Sequence, residues 1–235
     1  MNKYHRQLLI NIKKNSRRED LSIHNSQRYC GTSDKFYNFK TEVKRRIARE
    51  FIKKYPSLSF YEYIELLDSL NKGQSYEEKT IGSTLLYLYR DNKKQLLPKH
   101  LNKWLENLEG WAEIDSLCQS SFSADEILLN WVSWEKVLIT FSKSDFISKR
   151  RVSLVLLTKP VRDVRNDKFL KIAFRNMNKL KLEKDILIIK AISWLLRDMI
   201  KNYRDEVKNY LKKNRETLPK IAVRETTRKL ETGKK

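Results

Sequence analysis

The residues best placed to do chemistry are a tryptophan and an aspartate four apart, Trp111 and Asp115, in the run WAEID. On a helix this spacing makes the two side chains neighbours on one face. A carboxylate beside an indole stabilises a developing cation, through its charge and through the electron-rich π face. The same spacing also fits a core tryptophan followed by an aspartate that the helix dipole favours in a first turn. A second candidate is Lys149-Arg150-Arg151, followed at once by the apolar run Val152 to Leu157. It reads as the start of a buried helix with a basic edge, where Arg150 or Arg151 holds a phosphate or the cations are merely solvated. The third is ILIIKAISWLLRDMIKN, residues 186–202. At 100° per residue, Ile188, Ile189, Ile192, Leu195, Leu196 and Met199 form one apolar stripe, and Lys190, Trp194, Arg197 and Lys201 fall on the opposite side. A tryptophan among cations suits a flat group carrying negative charge, with nucleic acid the obvious candidate. It also suits packing of Trp194 on a neighbouring helix with the cations solvated.

The elements that must carry these residues read as helices. Helical periodicity places them near 2–15, 20–30, 40–55, 59–71, 76–90, 98–108, 111–119, 124–141, 145–158, 163–178, 184–203, 205–214 and 218–231. Capping-box patterns stand at Ser59–Glu62, Ser75–Glu78 and Ser123–Glu126, and Pro56, Pro98, Pro160 and Pro219 fall between the periodic segments. No strand alternation is visible. About a dozen short helices with short links predict an all-α chain, an α-solenoid of stacked antiparallel helix pairs with a concave basic face. An irregular helical bundle is the alternative. No linker composition divides residues 1–235, which read as a single domain ending in a frayed tail at 231–235.

Composition bounds the partners. Lys and Arg number 50 against 29 Asp and Glu, a net charge of +21, while 40% of residues are apolar. A folded chain this basic calls for a polyanion. No apolar run approaches a transmembrane span, and no signal peptide is visible, so the expected compartment is the cytoplasm, with no membrane partner. Cys30 and Cys118 are too few for a disulfide framework. His5, His24 and His100 are scattered and predict no zinc site. No phosphate-binding glycine loop and no Ser/His/Asp constellation is visible along the chain.

Taken together these blocks match a family. Ile189-Lys190-Ala191-Ile192-Ser193-Trp194-Leu195-Leu196-Arg197-Asp198 resembles F-I-x-K-A-I-G-W-x-L-R-E, with Ser193 for glycine and Asp198 for glutamate. Trp111 to Asp115 resembles W-W-D-x-V-D, with Gly110 in place of the first tryptophan and Ala112 in place of the first aspartate. Arg150-Arg151-Val152 resembles W-x-R-R-A-A. Tyr29, Gly31-Thr32 and Thr41 to Glu50 resemble Y-x-G-T…G-I-x-T-P-x-x-R-x-x-x-K-E, with Asn38 for glycine and Glu42 for proline. Val207 and Leu218 to Leu230, with Arg224-Glu225, resemble the pattern's V…L-S…R-E-A-L-K ending. Over residues 20–230 the chain therefore resembles the bacterial DNA alkylation repair enzymes, the AlkD-like HEAT-repeat alkylpurine DNA glycosylases.

The resemblance implies paired HEAT-like helices forming a basic DNA-binding groove, and hydrolysis of the N-glycosidic bond of cationic N3- or N7-alkylated purines in base excision repair. It implies a catalytic set of Trp111, Asp115, Arg151 and Trp194, no metal or organic cofactor, and double-stranded DNA, alkylated or distorted, as the partner, with no obligate protein partner evident and action at the nucleoid. Arg45, Arg150, Lys190, Arg197, Lys201 and Arg224 are the candidate DNA contacts. The alternative on the same scaffold is a non-catalytic binder of damaged, bent or branched DNA. A helical adaptor for an acidic protein or RNA is a third possibility.

Overall fold

The computed structural model describes residues 1–16, 22–119 and 121–234, with residues 22–25 described by backbone alone. The first residues of the helix expected over 20–30, and Lys235 of the expected tail, lie outside the described residues. The chain divides into two compact units, Met1–Leu117 and Cys118–Lys235. Among the described residues it is all-helical, with one isolated β-bridge between Lys35 and Ser75.

The first unit is built from α1 (Lys3–Lys14), α2 (Ser22–Cys30), α3 (Thr41–Lys54), α4 (Phe60–Asn71), α5 (Tyr76–Leu88), α6 (Arg90–Lys94), α7 (Lys99–Leu105) and α8 (Trp111–Cys118). The helix expected over 76–90 ends at Leu88, because Tyr89 leaves helical geometry (φ −79°, ψ 75°) before the short α6 begins. Helices α4 and α5 pair, and α1 and α3 lie against α5. Their buried stripes include Leu8, Ile47, Leu66, Leu70, Ile81 and Leu85. Ser59 closes a reciprocal capping box with Glu62. Ser75 accepts the Glu78 N–H and donates its hydroxyl to one Glu78 carboxylate oxygen at 2.5 Å, while the other oxygen meets His5 at 2.7 Å, so the box is not the reciprocal one of Ser59.

The second unit holds α9 (Ala124–Leu129), α10 (Trp131–Phe141), α11 (Ile147–Asp163), α12 (Asp167–Leu180), α13 (Ile186–Met199), α14 (Arg204–Asn214) and α15 (Lys220–Thr232). The expected helix 124–141 is two helices. Asn130 breaks it (φ −117°, ψ 37°), as asparagine readily does by competing for backbone hydrogen bonds. Pro160 corrects another expectation, since it sits inside the last turn of α11 rather than between helices. The turn continues because Val161 is wholly buried and the Pro160 carbonyl still accepts the Val164 N–H. At the C-terminus α15 runs on to Thr232 and is capped by Gly233 in the left-handed region (φ 70°), so residues 231–232 are helical rather than frayed.

Packing in this unit is layered. Helices α11, α13 and α15 touch in succession, α10 and α12 cover α11, and α14 covers α13 and α15. Such alternation is how stacked helix pairs bury a continuous core. Helix α13 has neighbours on two sides, so Ala191 and Ser193 are buried as well as Ile188, Ile192, Leu195, Leu196 and Met199, and only Ile189 of the expected stripe is half-buried. Ile192→Ala is expected to cost about 2–5 kcal/mol by leaving a cavity. Ile189→Ala is expected to cost clearly less, with denaturant midpoints as the measurement.

Candidate functional site

In the first unit the site is set by how α8 begins. Gly31 ends α2 with φ 71°, its N–H bonded to the Gln27 carbonyl at 2.8 Å. The backbone then runs so close to Gly110 that a Cβ there would lie 2.3 Å from the Cys30 carbonyl oxygen. With the end of α2 against the start of α8, Trp111 Nε1 donates to the Tyr29 carbonyl at 2.6 Å, and the two rings meet edge to face at 5.3 Å. The half-buried Trp111, like Tyr76, packs against the buried cluster of Cys30, Phe36 and Ala112. Asp115 follows one turn later on the same helix and is half-buried.

Between these two residues Glu113 points into the protein. It is buried; its Oε2 accepts the Glu109 N–H at 3.2 Å and lies 3.9 Å from Lys79 Nζ, while Lys79 also pairs with Asp34. Burial, together with hydrogen bonding and repulsion from Asp34, pushes the Glu113 carboxyl up to about 7, against the pull of Lys79. Two carboxyls over one ammonium thus retain a proton near neutrality. This cluster ties α8 to α5 and to the segment after α2.

That segment continues to Tyr37 and Asn38, whose N–H groups both donate to the Glu77 carboxylate at 2.9 and 3.0 Å. Burial raises the Glu77 carboxyl, and these backbone bonds and Lys44 oppose the rise. Lys44 also sits 5.2 Å over the Tyr76 ring. Arg45, on α3, is exposed.

In the second unit α11 and α13 bring Arg151 and Trp194 onto adjacent helices. Arg151 is 4% exposed and donates from a guanidinium nitrogen to the Leu187 carbonyl of α13 at 2.5 Å. Arg150 is bound to Glu183 at 2.9 Å and to the Ser144 and Asp145 carbonyls at 2.8 Å. Trp194 is half-buried, with Asp198 one turn on along the same helix. Burial raises the Asp198 carboxyl, while Arg162, Lys229, Trp194 and Arg197 hold it down. Arg197 lies 3.5 Å from Glu225 of α15, which also accepts a 2.5 Å hydrogen bond from Ser193. Lys190, Lys201 and Arg224 are exposed.

The linear sequence hid several groupings. No Ser/His/Asp arrangement was legible, yet the fold assembles His5, Ser69 and Glu78. His5 Nδ1 lies 2.8 Å from Ser69 Oγ and Nε2 lies 2.7 Å from Glu78. They line a cavity of about 680 Å³. Ser69 Oγ also accepts the Asn2 N–H at 3.1 Å, so the chain latches the start of α1 onto α4 and α5. Residues 64 and 73 positions from His5 leave no local pattern that could announce this. The Asp34–Lys79–Glu113 cluster was hidden for the same reason. Asp198 did have a signal, since Trp194 and Asp198 repeat the i, i+4 spacing of Trp111 and Asp115.

A family model for the DNA alkylation repair enzyme matches residues 13–230. The chain belongs to the DNA alkylation repair enzyme family. A solved structure described as a predicted DNA alkylation repair enzyme from Enterococcus faecalis shares the fold, with a TM-score of 0.75 at 14% identity over 92% of this chain and 98% of that one. No curated protein matches the chain. Among the described residues, no helix is long and apolar enough to cross a membrane.

Several departures of this DNA alkylation repair family member from the resembled pattern now have physical reasons. Asn38 replaces glycine at φ 56°, a left-handed conformation that asparagine tolerates better than most side chains. Glu42 replaces proline in the first turn of α3, where the helix dipole favours an anion. Gly110 replaces tryptophan where no side chain fits, and Ala112 replaces aspartate at a buried apolar contact with Cys30 and Phe36. Ser193 replaces glycine and spends its hydroxyl on Glu225.

Glu113 generates a pH test. Its folded carboxyl titrates near 7 and an unfolded one near 4.5. Its contribution is therefore fully present below pH 4.5 and is lost as pH rises through 7. Between those values this one proton gives a slope approaching about −1.4 kcal/mol per pH unit. Glu113→Gln is expected to flatten that slope in denaturation curves taken from pH 4.5 to 7.5.

Proposed function

We propose that this chain is a DNA glycosylase that hydrolyses the N-glycosidic bond of cationic N3- or N7-alkylated purines in duplex DNA. The observation that carries the reading is the Trp111–Asp115 pair on α8, with the indole fixed by the Tyr29 carbonyl at 2.6 Å and the carboxylate one turn away. Family membership supplies alkylated DNA as the context.

The chemistry follows from the substrate. An alkylated purine already carries positive charge, so its bond to C1′ breaks with the electron pair passing to the purine nitrogen, and the base leaves neutral without a general acid. The barrier lies in the oxocarbenium character that grows on the deoxyribose. The Asp115 carboxylate and the indole face of Trp111 stabilise that cation. Asp115 also orients the water that adds at C1′ and takes up its proton. In the second unit Arg151, held by the Leu187 carbonyl, and Trp194 on the adjacent helix are assigned to the DNA that this unit meets, the guanidinium to a phosphate. Exposed Arg45, Lys190, Lys201 and Arg224 are free to meet further backbone phosphates, whereas Arg150 and Arg197 are held by Glu183 and Glu225.

One observation favours the second reading, a non-catalytic binder of distorted DNA. The buried Ala112 supplies no carboxylate where the resembled pattern has one. Base release decides between them. On DNA carrying 7-methylguanine or 3-methyladenine, the wild-type protein is expected to liberate the free base. Asp115→Asn is expected to lower the single-turnover rate by about 10²-fold or more while DNA affinity is kept. Absence of release by wild type across neutral pH and both lesions would leave only the binder.

A further inference from the structure

The cavity of about 680 Å³ in the first unit takes no wall from α8 and so stands apart from Trp111 and Asp115. His5 of α1, Ser69 of α4 and Glu78 of α5 line it, on three helices in mutual contact. Their bonds run in one direction. Glu78 Oε1 lies 2.7 Å from His5 Nε2, and His5 Nδ1 lies 2.8 Å from Ser69 Oγ. Burial opposes ionisation of Glu78, yet the hydrogen bonds from His5 and Ser75 outweigh it and hold the carboxyl below its ordinary range. An ionised carboxylate only accepts, so Nε2 carries the hydrogen. In the neutral imidazole Nδ1 is then a base turned to the Ser69 hydroxyl.

Holding α1 in place does not call for this chain of groups. Leu8 and Ile12 already seat α1 in the core, both wholly buried. Apolar side chains of the same size would hold it at least as well as a buried imidazole and carboxylate, yet His5 is 2% and Glu78 4% exposed. The backbone makes room for that carboxylate: a Cβ on Gly73 would lie 2.6 Å from the Glu78 Cβ and 2.9 Å from its Oε1. Ser75 fixes the second oxygen at 2.5 Å. Ser69, by contrast, is only half-buried at the cavity wall. The same wall carries Leu9 and Tyr37 as apolar surface and Lys13, Lys35 and Lys72 as cations, which among the described residues pair with no carboxylate. Asp68 is committed to Lys103 and Trp104, and Glu65 accepts from Tyr61.

We propose that Ser69, His5 and Glu78 form an active site separate from α8, a serine esterase for small anionic carboxylic esters. Ser69 Oγ bonds to the ester carbonyl carbon while its proton passes to His5 Nδ1. Lys72, three residues on from Ser69 at the end of α4, is the cation assigned to the charge that gathers on the carbonyl oxygen. The carbon–oxygen bond to the alcohol then breaks, and the alcohol oxygen takes the electron pair and the proton from Nδ1. Water adds to the acyl-serine by the same route: its proton goes to Nδ1 and then to Ser69 Oγ as the acid leaves. Glu78 touches no substrate. It is a positioning residue that keeps the imidazole in the tautomer accepting at Nδ1. Lys13 and Lys35 draw in an ester that carries negative charge. The assignment is independent of whether DNA bases are excised.

The test begins with the folded, full-length wild-type protein and diisopropyl fluorophosphate, read by peptide mass spectrometry. A diisopropylphosphoryl adduct on Ser69 is expected. Turnover is then followed on phenyl acetate and on the anionic 4-acetoxybenzoate, with kcat/KM about tenfold higher expected for the anion. Ser69→Ala is expected to abolish both adduct and turnover. His5→Gln is expected to lower kcat by about 10²-fold or more. Glu78→Gln is expected to lower kcat similarly while KM is kept. A folded wild-type protein without an adduct on Ser69 overturns the esterase, and this reading needs no variant to fold. So does an unchanged labelling rate in a His5→Gln variant that melts like wild type. A Glu78→Gln variant that melts like wild type and keeps kcat overturns the positioning role, and equal kcat/KM for the two esters overturns the anionic preference. If base release fails while Ser69 is labelled, the glycosylase reading falls and the esterase stands. If bases are released and Ser69 is unlabelled, the esterase alone falls.

Discussion

The first unit turns on a backbone contact that leaves no space for a side chain. Gly110 meets the Cys30 carbonyl at the junction of α2 and α8, and only glycine permits that approach. Because the two helix ends touch, the Tyr29 carbonyl reaches the Trp111 indole and the Tyr29 ring closes on its edge. Trp111 is thereby oriented by fixed backbone rather than by a mobile side chain. Asp115 inherits its position through one turn of helix. The buried Glu113, lodged against Lys79 and Asp34, prevents α8 from rotating about its axis, because any rotation would strand a carboxyl in an apolar interior.

The second unit solves a different problem, that of stacking basic helices without leaving buried charge unpaired. Arg151 reaches a carbonyl on α13, Arg150 a carboxylate after α12, Arg162 a carboxylate on α13, and Arg197 a carboxylate on α15. Each bond crosses a helix boundary, so the same arginines that make the sequence basic also fix one helix against the next. What remains for a polyanion is the set of exposed cations outside these bonds, Lys171, Arg175, Lys190 and Lys201 among them. Net charge alone therefore overstates the surface available to DNA.

Most helices were legible because apolar residues recur at helical spacing and serine, asparagine or aspartate marks their starts. The capping boxes at Ser59 and Ser123 form as their spacing predicts. The errors lie where tertiary contact overrode a local signal. Pro160 stays within α11 because Val161 has a core position to fill. Glu78 keeps the Ser75 hydroxyl on one carboxylate oxygen and turns the other to the buried His5, so the reciprocal box seen at Ser59 does not form. Asn130 and Tyr89 break helices that periodicity alone would have continued.

Of the site, the sequence by itself determined which residue types could act and that Trp111 and Asp115 share a helix face, since spacing along one helix is a local property. It also determined membership in the DNA alkylation repair enzyme family, carried by ordered motifs. Only the tertiary structure decided which arginines are free, because a guanidinium's partner comes from a helix some 30 or more residues away. Only it showed that Gly110 stands where no side chain has room, that Ala112 lies in a buried apolar cluster, and that Glu113 retains a proton. Those outcomes depend on burial and through-space charge, which no run of adjacent residues encodes.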